Sequence, residues 1–452
     1  MLCVGVDFGT SNSSAAVYDG SVIRLLPLDR EAADPCVMRS LVYIERSGDV
    51  WFGQSALSRY LEQNTGRAVH YEMQRVGEVT MVFADIGTMV QDAFALLDVS
   101  EPGRLFQSIK RFLPVTSFRA TNVFGLTYTI EELLSLLARE LRSRIQEALG
   151  QPLIRLAVGW PVRFSEDPAA DTLARQRLRE AWRLAGVADV IFVEEPVAAI
   201  RHFAVGNTLG DARHILVFDF GGGTLDICVA RLSRGGAQTL ATRGVAIGGD
   251  LLDSRIVETQ LTPLFGDGAV QRSTGLPLPR YLFTRLRSWQ TLLELNTPQN
   301  MALIRRLKHE FDRPEPLVAL ETLVEKNYGV AFFQAVEGAK VRLSDHLETE
   351  VRLINADLRL QHPLTRDAFE TAVASQVHAA RGCVELAVSA AGLAPDEIDL
   401  VLTTGGSSRI PVFRRMLSDA LPSARLQESD LFTSIASGLA VSGALQTGEE
   451  FS

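Results

Sequence analysis

The run Val217-Phe218-Asp219-Phe220-Gly221-Gly222-Gly223-Thr224-Leu225-Asp226 joins an apolar strand to three glycines and a hydroxyl, with a carboxylate on either side. Glycines lack Cβ, so their N–H groups can approach anionic oxygens closely and adopt a turn that cups phosphate. Thr224 adds a hydroxyl donor. Asp219 and Asp226 would repel phosphate directly, and their useful role is to hold hydrated Mg²⁺, which prefers oxygen ligands and keeps several waters. An isolated glycine triplet is ordinarily just a tight β-hairpin turn. Here the unit occurs twice, because Val4-Gly5-Val6-Asp7-Phe8-Gly9-Thr10-Ser11-Asn12-Ser13 again leads from an apolar strand through Asp, Gly and hydroxyl residues into the apolar run Ala15 to Tyr18. Such a distant repeat predicts two similar lobes, not a short-period solenoid. Two facing hairpins would clamp one nucleotide. Neither is a P-loop, since no Gly-Lys-Ser or Gly-Lys-Thr follows, and the Rossmann glycine pattern is absent.

The elements between the hairpins fit an α/β lobe. Thr129 and Glu132 form a capping box ahead of Ile130 to Leu149, whose apolar positions 130, 133, 134, 137, 141, 145 and 148 keep helical spacing until Gly150 and Pro152. Leu153 to Val158 reads as a buried strand broken at Trp160-Pro161. Asp167-Pro168 caps the next helix, which Gly186 closes. Ile191 to Val193 is a short strand that delivers Glu195 at its carboxyl end, where open α/β sheets present ligand residues. Taken alone, a Glu-Glu-Pro turn is a solvated loop acid. Val205 to Arg213, with Gly206, Asn207, Gly210 and Asp211, reads as a connector and hinge. Thr262 to Tyr328 turns helical and is punctuated by prolines. Glu337, Lys340 and Ser344 fall on one helical face, the spacing of an ordinary solvated Glu–Lys pair.

Composition limits the alternatives. The 452 residues are 46% hydrophobic, enough for a large core that should split into lobes, because single cores stop growing near ~250–300 residues. A formal net charge of −9 argues against a nucleic-acid or anionic-membrane surface. The first residues have no basic segment of a signal peptide, and no apolar run reaches the roughly 18–20 residues of a membrane span. The expectation is a soluble, cytoplasmic protein. Cys3, Cys36, Cys228 and Cys383 form no Cys-x-x-Cys pair, and the seven histidines show no metal-ligand spacing. No nucleophile elbow of the Gly-x-Ser-x-Gly type occurs.

With both hairpins in view, the chain resembles the actin-like ATPase superfamily and, within it, the Hsp70 (DnaK-type) chaperones. Leu105-Phe106-Gln107-Ser108-Ile109-Lys110-Arg111-Phe112 resembles the segment that carries that family's catalytic lysine, which gives the role to Lys110. Glu194-Glu195-Pro196-Val197-Ala198-Ala199 is similar to its Glu-Pro-Thr-Ala-Ala element, with Glu195 on the glutamate. Gly248-Gly249-Asp250 resembles the glycine pair after the second hairpin, and Gly405-Gly406-Ser407-Ser408-Arg409-Ile410-Pro411 the adenosine loop. Glu337 to Ser344 resembles the helix that touches ribose and adenine, so the resemblance implies that Glu337, Lys340 and Ser344 contact adenosine. An arginine that stacks on the base in some members is Val341 here, which leaves Arg409 to stack. Asp430-Leu431-Phe432-Thr433 departs from the usual Asp-Glu-Ala-Val pattern, and no role passes to Asp430.

The resemblance implies an actin-like ATPase (ribonuclease H-like) fold of two lobes around a deep cleft, each with a core sheet-and-helix subdomain and an outer one. Lobe I would be 1–206 (core 1–38 and 126–206, outer part about 39–125). Lobe II would be 207–427 (core about 213–250 and 351–427, outer helical insertion about 251–350), with 428–452 a helix returning to lobe I. Only a dozen residues follow Gly438-Leu439-Ala440, which resembles the short, YegD-like branch without a peptide-binding domain. The implied activity is hydrolysis of ATP to ADP with Mg²⁺, in a chaperone-like or regulatory monomer with a protein client or co-chaperone. The implied roles are phosphate cradling by Gly9, Thr10, Ser11, Asn12, Gly221, Gly222 and Gly223, nucleotide binding by the pair Gly248 and Gly249, and water-mediated metal binding by Asp7 and Asp219. Lys110, Glu195, Asp226 and Thr224 would act on the attacking water, and Gly405, Gly406, Ser407 and Arg409 on adenosine. Pro161 and Arg175 resemble the family's switch proline and its arginine. The 262–328 insertion departs from the family where an exchange factor docks. Other readings of the same hairpins are an actin-like filament protein, a slow ATP-dependent scaffold or reactivase, and a small-molecule kinase.

Overall fold

The computed structural model describes residues 2–445 apart from 68, 84–86, 153–154, 188, 207–212, 234–235, 273, 312–313 and 429–433, and the backbone alone for 74–83, 87–97, 206 and 236. Most of the expected connector at 205–213, and Asp430, lie outside the described residues.

Two sheets share one plan. In the first, Cys3–Phe8 pairs antiparallel with Asn12–Tyr18 and parallel with Leu156–Trp160, which pairs parallel with Val190–Glu194. Ile23–Leu25 adds antiparallel to Asn12–Tyr18. In the second, Arg213–Phe220 pairs antiparallel with Leu225–Ser233 and parallel with Leu400–Thr404, which pairs parallel with Arg425–Glu428. Gly236–Val245 adds antiparallel to Leu225–Ser233. The strand order is therefore the same in both, with the first strand of each Asp-Gly hairpin at the centre. Central strands are covered on both faces, so they need continuous apolar runs. Val4, Val6 and Phe8 are buried in one core, and Leu216, Phe218 and Phe220 in the other.

Local sequence signals act as the chemistry requires. The Glu132 N–H donates to Thr129 Oγ1 at 3.2 Å and the Thr129 N–H donates to Glu132 Oε2 at 2.8 Å, which opens helix Ile130–Leu149. Leu133, Leu137, Leu141 and Ile145 bury its apolar face in the first core, and Gly150 ends it at φ 67°. The strand expected at Leu153 to Val158 runs instead over Leu156–Trp160 and ends at Pro161, which has no N–H for the ladder. Residues 153 and 154 lie outside the described set. Asp167 accepts from the Ala169 N–H at 3.0 Å to cap helix Pro168–Leu184. Helix Ser434–Leu445 packs on Cys3–Phe8 and on helix Glu195–Gly206, with Ile435 and Leu439 beside Ala157 and Ala198. A Cβ at Gly438 would overlap the Ala198 carbonyl, so only glycine permits that approach.

Beside the first sheet, Leu41–Glu45, Val50–Phe52 and Gly103–Gln107 form a small sheet against helix Gly53–Asn64, with Val42 and Ile44 reaching the first core. A long ribbon, Tyr71–Phe83 with Gly87–Asp98, belongs to the same insertion. On the other side, the proline-punctuated stretch breaks into short helices at Arg280–Thr284, Trp289–Leu293, Pro298–Lys308 and Glu315–Glu325 before helix Gly329–Arg342. Among the described residues, no helix is long and apolar enough to cross a membrane.

Candidate active site

A cleft of about 1060 Å³ lies between the two hairpins. Its walls include Gly9 to Asn12 on one side and Gly221 to Thr224 on the other. The tips nearly touch: a Cβ on Gly222 would overlap Ser11 Oγ, and one on Gly223 would sit 3.1 Å from Thr10 Oγ1. The second hairpin closes through the Gly221 N–H donating to the Thr224 carbonyl at 3.1 Å. Behind it, the N–H groups of Gly249 and Asp250 donate to the Gly221 and Gly222 carbonyls, each at 3.0 Å. A Cβ on Gly248 would collide with the Gly222 backbone. Gly249 lines the cleft, and Gly248 lies behind the loop as its support.

Charge concentrates at the foot of the cleft. Lys110, from the turn Ile109–Phe112, reaches Glu195, the first residue of its helix, with Nζ donating to Oε1 at 2.9 Å. Both are buried. Asp219 and Asp226 are buried opposite each other on the second hairpin, and Asp7 lies half-buried beside them. Burial, then the Glu195 charge, lifts Asp7 to about 8, with Lys110 pulling the other way. Burial raises Asp219 well above the usual carboxylate range, helped by Glu195, Asp226 and Asp7. Asp226 is pushed up to about 7 by burial and Glu195, opposed by a hydrogen bond from Thr224 and by the Val162 N–H, which donates to Oδ1 at 3.0 Å.

These residues fit a hydrated cation with a polyphosphate. Asp7, Glu195, Asp219 and Asp226 gather around the Lys110 ammonium, whose one charge does not balance them. Ser11 Oγ is buried with no hydrogen-bond partner, at a glycine-lined gap where a phosphate oxygen would satisfy it. Among the described residues, no group of three or more His, Cys, Asp or Glu side chains could hold a metal directly.

The far end of the cleft contains Glu337, Lys340, Ser344, Gly405, Gly406, Ser407 and Arg409. Gly405 takes φ 78°, and Ser407 Oγ donates to the Gly221 carbonyl at 3.1 Å, which ties this loop to the second hairpin. The helix carrying Glu337 and Lys340 stops at Arg342, so Ser344 lies beyond its end rather than on a continuous face. Lys340 Nζ donates to Asp253 Oδ2 at 2.8 Å and to the Gly249 carbonyl at 3.1 Å. Glu337 pairs with Arg39 at 3.7 Å, and Arg409 with Glu428. Arg39, Asp253 and Glu428 were not singled out by the sequence. Each meets its partner only through the tertiary fold, and no local motif marks them.

The Hsp70 protein family model matches residues 3–268 and 317–452. The chaperone protein DnaK of Thermosipho melanesiensis is 24% identical over 99% of this chain and 60% of its own length. That of Thermotoga maritima shows the same identity and the same two shares. The chain thus spans about 60% of the length of these relatives. With most of its residues under the family model and both hairpin sheets in place, the chain has the actin-like ATPase fold and belongs to the Hsp70 family.

Proposed function

We propose that this protein binds Mg·ATP between its lobes and hydrolyses it to ADP and phosphate. The observation that carries the reading is the buried Lys110–Glu195 pair, set among three further carboxylates at the foot of a cleft between two glycine hairpins. Phosphoryl transfer needs mainly positioning and charge stabilisation, and these residues supply both.

The N–H groups of Gly9 to Asn12 and Gly221 to Thr224 cradle the β- and γ-phosphates, and Thr10 and Thr224 add hydroxyls. A Mg²⁺ held through water by Asp7 and Asp219 would neutralise phosphate charge. Lys110 exchanges its hold on Glu195 for the γ-phosphate and the attacking water. Glu195, thus released, orients that water together with Asp226. A carboxylate titrating near 7 is suited to accept a proton at neutral pH, which favours Asp226 as the base. Glu337, Lys340, Ser344, the Gly405 to Ser407 loop and Arg409 hold adenosine.

A relay toward the surface begins at Asp226. The Val162 N–H donates to Asp226, and the Val162 carbonyl accepts from Arg175 Nη2 at 2.8 Å. Arg175 in turn lies over the Trp160 ring, 4.3 Å from its centroid. In this reading Pro161 and Arg175 report the nucleotide state to a client or co-chaperone in the cytoplasm. The ATPase reading is tested by single-turnover hydrolysis of labelled Mg·ATP with no added acceptor. Release of free phosphate supports it, and transfer of label only in the presence of a small-molecule acceptor contradicts it.

A further inference from the structure

We infer that Trp289 is a positioning residue for Lys110, supplied by a segment outside the Hsp70 family match. The inference rests on the ATPase reading for the role of Lys110, but its structural part can be measured separately.

Residues 269–316 fall between the two matched stretches, and they contain the short helix Trp289–Leu293. Ser288 Oγ caps this helix by accepting the Thr291 N–H at 3.2 Å, which fixes where Trp289 emerges. Although it belongs to the outer insertion of the second half, Trp289 is 7% exposed because it packs among Leu41, Leu57, Tyr60 and Leu105 of the first. Its ring centroid lies 6.3 Å from that of Tyr60. A buried indole N–H needs an acceptor. Trp289 Nε1 finds one in Gln107 Oε1 at 2.8 Å.

Gln107 ends the strand Gly103–Gln107, and Ser108 follows with a left-handed φ of 54° before the turn that carries Lys110. A non-glycine residue rarely takes that region and persists there only where its surroundings hold it. The second half supplies that hold on both sides. Trp289 anchors Gln107, and Asp250 accepts from Ser108 Oγ at 3.2 Å and Arg111 Nη1 at 3.3 Å. The turn that aims Lys110 at Glu195 is therefore gripped across the cleft. Parting the outer insertions removes the acceptor of a buried N–H and frees Ser108 to relax, which withdraws Lys110. Catalytic competence is thereby tied to closure at the outer edge.

The test uses Trp289→Phe, which keeps aromatic packing and removes the N–H, beside Gln107→Leu and the double variant. Single-turnover hydrolysis is expected to slow by about tenfold or more in each, while Mg·ADP affinity stays within about twofold, and the double variant is no slower than either single. Amide hydrogen exchange over 107–112 in the nucleotide-free protein should quicken in each variant, with helix Ile130–Leu149 unchanged. Unchanged exchange at 107–112, or equal losses of hydrolysis and Mg·ADP affinity, would overturn the assignment. Quickened exchange in a chain whose wild type does not hydrolyse ATP would uphold the grip on the turn and refute the ATPase reading alone.

Discussion

Asp219 and Asp226 face each other as a register pair across the second hairpin, and both are buried. Like charges directly opposite in a ladder are destabilising. The first hairpin places Ser14 opposite Asp7, so only the second carries this cost. In such a buried pair each carboxylate makes ionisation of the other more costly, and Asp226 helps to hold Asp219 above the usual carboxylate range.

That arrangement fixes how stability should vary with pH. Asp7, at about 8, and Asp226, at about 7, sit above the unfolded carboxylate value, so the folded chain keeps protons that the unfolded chain has lost. Their contribution is full below the unfolded pKa near ~4 and is lost as pH rises through about 7 to 8. The thermal midpoint of the nucleotide-free protein should therefore fall between pH 6 and roughly 8.5, and Mg·ATP should flatten the fall. An apo midpoint that rises over that interval contradicts the charge assignment.

Gly248→Ala should disable the second hairpin without touching a ligand. The new methyl would meet the Gly222 backbone, which cannot swing aside as a side chain can. Overpacking of this kind typically costs about 1–3 kcal/mol, and calorimetry should show Mg·ATP affinity falling by roughly tenfold or more. Wild-type affinity in this variant would mean that the loop geometry is not set by its support.

Lys340 and Asp253 make a buried ion pair with one loose end, because Asp253 Oδ1 has no hydrogen-bond partner. Burial opposes the charge on Lys340, and Asp253 more than offsets it, so the ammonium pKa rises. Burial lifts Asp253 to about 7 while Lys340 pulls it back. Lys340→Met should lose about 3–5 kcal/mol in denaturant unfolding, and adding Asp253→Leu should recover most of it, since an uncompensated buried charge is the larger penalty. A double variant as unstable as the single would refute this.

Val341 is 58% exposed on the cleft wall, where some relatives of this fold are expected to stack an arginine on the base. Val341→Arg should strengthen ADP binding by about fivefold, the equivalent of ~1 kcal/mol of stacking, and leave tripolyphosphate binding unchanged. Equal gains for both ligands would show simple charge attraction instead.

Much of this was legible in the chain itself. The hairpins, the Thr129–Glu132 capping box and the Asp167 cap depend on residues a few positions apart, and local chemistry specifies them. The Lys110–Glu195 pair joins residues distant in sequence, so spacing alone gave no hint of it and only the family resemblance linked them. Ser344 lies past the helix end because the chain turns after Arg342, where no glycine or proline marks a stop. Trp289 and Gln107 were not legible as a pair, because Gln107 stands in the segment that resembles the lysine-bearing one, Trp289 stands in the proline-punctuated insertion, and only the fold brings them together.

The most direct measurement is Mg·ATP binding and single-turnover hydrolysis for the wild type beside Lys110→Ala. The account predicts that wild type releases phosphate, while the variant still binds Mg·ATP but turns it over at least about a hundredfold more slowly. Wild-type binding without hydrolysis, or hydrolysis equal in the variant, would contradict it.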